Sequence, residues 1–278
     1  MLFLVADSET AEQREKRRET AGCSSAESFA STLRTLAPGS GCEMVRPHEE
    51  GASAETRRSL DGYDGVFLSG SPLHVYEGGP GVRRQLSFMR SVFAAGVPCF
   101  GSCAGLQIAV AAVGGRVGSS PRHEVGLARR ITATARGADH PLLAGRPASW
   151  DALSVHSDVV EQLPEGAVLL AGNSACPVQA VEIRHGGGLF WGVQYHPELS
   201  FSEIGAAIRR QSEALVDRKL ARTRSDVDRQ AELFDAVEAE PERPDLAWRL
   251  GIDEEVTDPG RRRRELVNFL AMLRDRAG

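Results

Sequence analysis

The sequence predicts an α/β fold in which a parallel sheet is covered by helices on both faces. Short apolar runs alternate with amphipathic helical patterns over residues 2–115, as expected for parallel strands joined by crossover helices. A sharp strand-to-helix turn is predicted at Gly101–Gly105, and the second half is rich in short strands. At 278 residues the chain is long enough to bury a full hydrophobic core.

Four strands are predicted in the first half, each a short apolar run bounded by turn residues. They cover residues 2–6, 42–45, 65–68 and 97–100. A capping-box pattern at Ser24–Glu27 begins a helix whose apolar residues recur at i, i+4 and i+7, and another helix covers about residues 82–94. The very polar segment 9–20 is predicted to be an exposed loop or helix.

Five more strands are predicted in the second half, separated by turn residues. They cover residues 127–134, 148–155, 168–172, 177–183 and 189–193. A second capping box, Ser200–Glu203, then begins an amphipathic helix. The rest is charged and helical in pattern, with one apolar stripe formed by Leu266, Phe269, Leu270 and Leu273. We therefore predict a domain over residues 1–199 and a helical C-terminal extension over 200–278, packed on the domain or on a second copy of the chain.

The composition is that of an ordinary globular protein, 41% hydrophobic and 26% charged. The net charge of −5 gives no reason to expect nucleic acid or an acidic membrane surface as a partner. The run Arg261–Arg264 begins an amphipathic helix and is interpreted as a solvated face. No apolar run approaches the roughly 20 residues of a membrane span, so we expect a cytoplasmic protein.

The five cysteines are odd in number and scattered, which argues against a disulfide framework. No Cys or His spacing matches a zinc site, and the sequence predicts neither a metal nor a cofactor. Only Cys103 has a context that predicts reactivity.

Cys103 lies on the predicted turn between the strand at 97–100 and a helix rich in Ala, Leu, Ile and Val. Such a nucleophile elbow holds its central residue in a strained conformation, while Gly101 and Gly105 let strand and helix approach closely. The unpaired N–H groups at the start of the helix favour negative charge, which suits a thiolate and an oxyanion.

A cysteine nucleophile needs a base, and the base needs a third group that fixes its tautomer. His196 and Glu198 follow the last predicted strand and are two residues apart, so their side chains can point the same way. The sequence therefore predicts a Cys103–His196–Glu198 constellation.

With this elbow and this order of residues, the chain resembles the class I glutamine amidotransferase family, and within it the GMP synthase-like branch. The resemblance covers roughly residues 1–200. It rests on the motifs Gly101–Gln107, Gly114-Gly115, Glu124–Gly126 and Val193–Glu198, with further matches at Phe67–Pro72 and His156–Val160. It implies a flavodoxin-like domain with a mostly parallel central sheet. Ser102 and Ala104 depart from many relatives, which have Ile or Val before the cysteine and a bulky residue after it.

The resemblance also implies a reaction and roles for the three residues. Cys103 would attack the side-chain amide of glutamine and form a γ-glutamyl thioester. His196 would protonate the leaving ammonia and then activate water, and Glu198 would orient His196.

Further site residues follow from the resemblance. The backbone N–H of Ala104 and one from the Gly70-Ser71 turn would form the oxyanion hole. Gln107 would help to hold the amino-acid end of the substrate, and Glu124 lies in a segment that often lines this pocket. His156 and Asp158 either line this pocket as well or belong to a hydrogen-bonded loop.

Three functions stay open. The first is a glutaminase that supplies ammonia to a separate synthetase, because the sequence contains neither a Ser-Gly-Gly-x-Asp-Ser loop nor a GxxxxGK[ST] phosphate loop. The second is a stand-alone hydrolase of a γ-glutamyl amine or peptide. The third is a binding or regulatory module with an idle triad, whose contact surface is the helical extension.

Overall fold

The fold is built on one nine-stranded sheet in the computed structural model, which describes residues 1–50 and 60–277. The strands are β1 (Leu2–Ala6), β2 (Gly41–Val45), β3 (Gly65–Leu68), β4 (Cys99–Ser102), β5 (Arg116–Ala133), β6 (Ser149–Gln162), β7 (Val168–Gly172), β8 (Ala180–His185) and β9 (Gly188–Val193). Their order across the sheet is β2-β1-β3-β4-β9-β8-β7-β5-β6.

The sheet has a parallel and an antiparallel half, so the expectation of a mostly parallel sheet is confirmed only for one half. The pairs from β2 to β9 are parallel, and the pairs from β9 to β6 are antiparallel. Parallel neighbours need a crossover of about a dozen residues or more. Only Gly186 and Gly187 separate β8 from β9. A turn of two residues can connect only antiparallel strands.

The helices flank this sheet and also follow it. They are α1 (Ala11–Ala21), α2 (Ser25–Leu36), α3 (Pro80–Ala95), α4 (Ala104–Ala112), α5 (Ala135–Ala138), α6 (Phe201–Arg210), α7 (Ser212–Asp217), α8 (Arg224–Ala239), α9 (Pro244–Leu250), α10 (Glu254–Thr257), α11 (Pro259–Arg262) and α12 (Arg264–Ala277). Capping boxes begin α2 at Ser24 and α6 at Ser200, as the sequence predicts.

The polar segment 9–20, whose pattern suits either a loop or a helix, contains most of α1. The helix is not exposed all round, because Arg14 and Arg17 are buried. Arg14 lies 3.4 Å from the Asp7 carboxylate, and Arg17 lies 2.7 Å from that of Glu203. These ion pairs allow a helix with almost no apolar residues to pack against the domain.

Both faces of the sheet are covered, as the alternation of strands and helices predicts. Successive residues of a strand point to opposite faces, so Phe3 and Phe67 join the cluster under α2, while Leu4 and Val66 join the one under α3 and α4. A third cluster joins the helices after β9 to β5 and β6. The strand ends that carry the site are therefore fixed from both sides.

The last helix is part of the core of the sheet. Its apolar stripe is buried in the same cluster as Phe3 and Phe67. The ring centroid of Phe269 lies 5.4 Å from that of Phe67, 5.6 Å from that of Phe100 and 5.7 Å from that of Trp191. The division between residues 199 and 200 stays a prediction, but α12 packs on the sheet of its own chain.

We expect Phe269→Ala to lower the free energy of unfolding by about 3–5 kcal/mol, because it leaves a cavity among three aromatic rings. Val267→Ala is the matched control on the same helix, since Val267 is 40% exposed, and should change the value by less than about 0.5 kcal/mol. Urea denaturation measures both. Equal effects of the two substitutions would show that α12 does not contribute to the core.

Candidate active site

Cys103 lies between β4 and α4 with φ 51° and ψ −110°, so the predicted strand-to-helix turn is confirmed. A positive φ favours glycine and is strained for cysteine. The turn is held by packing: a Cβ atom on Gly105 would lie 2.6 Å from the backbone oxygen of Leu68. The Cys103 N–H also donates to the Val193 carbonyl at 2.9 Å. Backbone contacts with two neighbouring strands thus fix the position of the sulfur atom.

His196 and Glu198 meet beside this turn. His196 Nδ1 lies 2.8 Å from Glu198 Oε1, and the Ser102 hydroxyl donates to the same oxygen at 2.8 Å. The Glu198 side chain is fully buried. The Thr32 hydroxyl donates to the backbone oxygen of Glu198 at 3.0 Å, which attaches this segment to α2. The Glu198 carboxylate is therefore held by His196 and Ser102, and its backbone is held by α2.

The pKa of His196 is raised to about 10. Burial of the ring lowers it, but the charge of Glu198 and the hydrogen bonds with Cys103 and Glu198 raise it by more. At neutral pH the imidazole is therefore protonated in the resting protein. Its positive charge lies beside the sulfur of Cys103.

Gly70 lies directly against this pair. A Cβ atom at that position would be 2.6 Å from His196 Cε1 and 3.5 Å from Cys103 Cβ. Ala104 is the first residue of α4, so its N–H has no intrahelical partner. The Ser71 hydroxyl accepts a hydrogen bond from the Leu73 N–H at 3.3 Å and shapes the turn. The residues predicted for the oxyanion hole thus belong to two segments that border the sulfur.

Gln107 is buried one turn along α4. Its Nε2 donates to the backbone oxygen of Asp158 at 3.1 Å and to Gln194 Oε1 at 3.2 Å. These bonds join α4 to β6 and to the segment before His196. The donor group of Gln107 is therefore engaged inside the protein.

Glu124 is the centre of a buried polar cluster. Its Oε1 accepts from Asn173 Nδ2 at 2.7 Å, and its Oε2 lies 2.5 Å from Gln179 Nε2 and 2.9 Å from His156 Nε2. Both carboxylate oxygens thus bond to protein groups. The role of Glu124 as a substrate ligand stays a prediction.

Strand β6 borders the site, and the loop after β3 approaches it. The Val155 carbonyl lies 4.0 Å from the Cys103 sulfur. Further along β6, the buried Asp158 carboxylate lies 2.6 Å from Nδ1 of the partly exposed His74. The His74 ring centroid lies 5.5 Å from that of Tyr76, which is 46% exposed. His156 and Asp158 therefore lie beside the residues expected to bind substrate.

Sequence reasoning did not find the contacts of Ser102, His74 and Tyr76. The sequence did mark Ser102 as unusual, because a small polar residue stands where many relatives have Ile or Val. Its partner Glu198 is 96 residues away, so sequence spacing does not reveal the bond.

Among residues 1–50 and 60–277, no group of three or more His, Cys, Asp or Glu side chains could hold a metal ion. No helix in the same part of the chain is both long and apolar enough to cross a membrane.

The sequence model of the glutamine amidotransferase class-I family matches residues 24–213. The γ-glutamyl-L-1-hydroxyisopropylamide hydrolase of a Pseudomonas species is 38% identical over 219 residues, which are 77% of this chain and 73% of the hydrolase. The glutamine-hydrolysing GMP synthase of Thermomicrobium roseum is 36% identical over 169 residues, 61% of this chain. The match spans only 29% of that synthase.

Solved structures share the fold. The crystal structure of a glutamine amidotransferase from Thermotoga maritima superposes with a TM-score of 0.64 at 17% identity. That likeness covers 98% of this chain and 97% of the other, so it includes the helices after β9. The crystal structure of a glutamine amidotransferase from Methylobacillus flagellatus gives a TM-score of 0.50 at 19% identity, over 77% of this chain and 74% of the other.

The raised pKa of His196 makes the protein less stable at high pH. A raised pKa contributes stability that is complete below the ordinary value near 6.5 and is lost as the pH rises through about 10. Between pH 6.5 and pH 10 we expect the free energy of unfolding of the wild type to fall further than that of His196→Gln. The difference should be on the order of a few kcal/mol. Urea denaturation of the wild type and of His196→Gln across this range measures the difference.

The control is His185→Gln, because His185 is an exposed histidine at the opposite end of the strands. It should keep the pH dependence of the wild type. A wild type and a His196→Gln variant with parallel pH profiles would contradict a protonated, buried His196.

Proposed function

Since the chain belongs to the glutamine amidotransferase class-I family, we propose that it hydrolyses a γ-glutamyl amide through Cys103, His196 and Glu198. The family and its hydrolase relatives establish an amide hydrolase. The observation that carries the assignment of residues is the position of Cys103 on the elbow, beside an imidazole bonded to a buried carboxylate. Nucleophile, acid–base group and orienting group are thus supplied by two neighbouring strand ends.

In the first half-reaction the Cys103 thiolate attacks the γ-carbonyl carbon and forms a tetrahedral intermediate. The C–N bond breaks when protonated His196 donates its proton to the leaving amine. The products are a γ-glutamyl thioester on Cys103 and the free amine. Glu198 keeps Nδ1 of His196 bonded, so Nε2 is the nitrogen that carries the transferred proton.

In the second half-reaction neutral His196 takes a proton from water. The hydroxide adds to the thioester carbon, and collapse of the intermediate releases glutamate and the Cys103 thiolate. His196 then holds a proton again, as in the resting protein. The oxyanion of both intermediates would accept hydrogen bonds from the Ala104 N–H and from an N–H of the Gly70-Ser71 turn.

The amino-acid end of the substrate would lie toward α4 and β6. Gln107 would contact it through its carbonyl oxygen, because both hydrogen bonds described for this amide use Nε2. Glu124 is the second proposed substrate contact, and its bond to His156 also holds the adjacent segment of β6.

The γ-glutamyl amide of a small alkylamine is the substrate class that we favour over glutamine. The Pseudomonas hydrolase, whose name specifies a γ-glutamyl hydroxyisopropylamide, matches over about three quarters of both chains, whereas the match spans less than a third of the T. roseum GMP synthase. Water would be the final acceptor, and no second protein would be needed.

The second candidate is the glutaminase that passes ammonia to a separate synthetase. It is supported by the glutamine-hydrolysing GMP synthases that match this chain at 36–38% identity. L-Glutamine would then be the substrate. An idle triad in a binding module is the third candidate, and it requires an unreactive Cys103.

We expect the purified chain to release glutamate from γ-glutamyl alkylamides at least about tenfold faster, in kcat/KM, than from L-glutamine, a difference of about 1.4 kcal/mol in transition-state binding. The assay measures glutamate and the released amine or ammonia over a panel of γ-glutamyl compounds. Cys103→Ala is the blank and should abolish all release.

Faster turnover of L-glutamine than of the γ-glutamyl alkylamides would favour the second candidate, the glutaminase. Its synthetase partner would then be sought by co-purification. Release that survives Cys103→Ala would refute the proposed nucleophile. If no compound is hydrolysed and Cys103 does not react with iodoacetamide, the third candidate, a binding module with an idle triad, would be the remaining explanation.

We expect Glu198→Gln to lower kcat by roughly 10²–10⁴-fold, because the amide cannot stabilise the imidazolium as the carboxylate does. Ser102→Ala should lower kcat by roughly tenfold, since it removes one of the donors that hold Glu198. KM should change little in both. Ser31→Ala, at an exposed position of α2, is the matched control, and an equal effect of the two serine substitutions would contradict the role of Ser102.

A further inference from the structure

Tyr195, the residue before the proposed acid–base group, is bonded to a buried carboxylate of the last helix. Its hydroxyl donates to Oε1 of Glu265 at 2.8 Å, and neither side chain is exposed. We propose that Tyr195 and Glu265 are positioning residues that set the orientation of His196. This rests on the proposed function of His196, and it gives α12 a part in the reaction without contact with the substrate.

Glu265 is itself held in a fixed plane. Arg146 bonds to both of its oxygens, with Nε 2.7 Å from Oε1 and Nη2 2.8 Å from Oε2. The third nitrogen of Arg146 lies 3.0 Å from Glu255 Oε2. A bidentate pair fixes direction as well as distance. The position of Glu265 Oε1, which accepts the hydrogen bond from the Tyr195 hydroxyl, is therefore fixed.

In the hydrogen bond between Tyr195 and Glu265, the Tyr195 hydroxyl is always the donor. Burial raises the pKa of Tyr195 well above its ordinary value, and the charge of Glu265 raises it further. The phenol therefore keeps its proton at neutral pH. It remains a donor, and Glu265 remains the acceptor.

The backbone on both sides of Tyr195 is hydrogen-bonded to neighbouring segments. The Gln194 N–H donates to the Gln179 carbonyl at 2.9 Å, and the His196 N–H donates to the Leu153 carbonyl at 2.8 Å. The ring packs edge-on against Trp150, with centroids 6.5 Å apart. The bond from Tyr195 to Glu265 therefore acts together with these contacts to place the peptide that carries His196.

His196 tolerates little displacement. Its ring is so close to Gly70 that no Cβ atom would fit there, and its Nδ1 must stay 2.8 Å from Glu198. Misplacement of a reacting group by about 1 Å can cost about 100-fold in rate. A buried ion pair is also a poor source of stability compared with apolar packing. The Arg146–Glu265 pair is therefore better explained by the geometry it imposes on Tyr195.

The first test is Tyr195→Phe, which removes one hydroxyl and keeps the ring. We expect kcat to fall by about tenfold with KM within about twofold, since His196 moves but the binding surface does not. The rate of Cys103 alkylation by iodoacetamide at pH 7 should fall by a similar factor, because the imidazolium is no longer aligned with the sulfur. Glu265→Gln keeps an acceptor oxygen for Tyr195 but turns an N–H group toward Arg146, which ends the bidentate pair, so both rates should fall by a similar factor.

Leu273→Ala is the matched control on α12. Leu273 is buried against Gly65 at the start of β3, whereas the site lies at the other end of the strands. It should lower the melting temperature and leave kcat and the alkylation rate within about twofold.

The proposal is overturned if Tyr195→Phe keeps the kcat and the alkylation rate of the wild type. It is also overturned if Leu273→Ala, at an equal loss of melting temperature, reduces both rates as much as Tyr195→Phe does. Alkylation needs no substrate. A wild type that hydrolyses no γ-glutamyl compound would therefore refute the proposed function, while the alkylation rates would still decide the roles of Tyr195 and Glu265.

Discussion

The site depends on the strained turn at Cys103. A non-glycine residue at positive φ costs on the order of 1–3 kcal/mol, and it persists only where its surroundings fix it. Here Gly105 lies against the Leu68 backbone, and the Val193 carbonyl accepts the Cys103 N–H. Because the same strands β3 and β9 lead to Gly70 and His196, the packing that holds the turn also assembles the groups around the sulfur.

The parallel and antiparallel halves of the sheet contribute different elements to the site. The parallel half brings the strand ends that carry Gly70, Cys103 and His196 to one edge, as parallel strands do in other α/β proteins. The antiparallel half supplies β6, whose backbone passes the sulfur at Val155 and accepts a hydrogen bond from Gln107 at Asp158.

The helices after β9 are part of the same architecture. The apolar residues of α12 pack with those of α2 on one face of the sheet, and those of α6–α10 pack on β5 and β6. The likeness to the Thermotoga maritima structure extends over these helices. Through Glu265 they also reach the segment that contains His196. The extension is therefore joined to the site by packing and by a directional hydrogen bond, although it contributes no group to the proposed chemistry.

The sequence by itself determined the features that depend on neighbours within about ten residues. The elbow glycines, the capping boxes at Ser24 and Ser200, and the spacing of His196 and Glu198 are of this kind, because turns, caps and side-chain direction follow local backbone geometry. Tertiary structure alone decided the antiparallel half of the sheet, whose β5 begins with a polar stretch that lacks an apolar strand pattern. It also decided the partners of buried polar groups, such as Ser102 with Glu198 and Tyr195 with Glu265. A buried donor must find an acceptor somewhere in the fold, but no local pattern specifies which one.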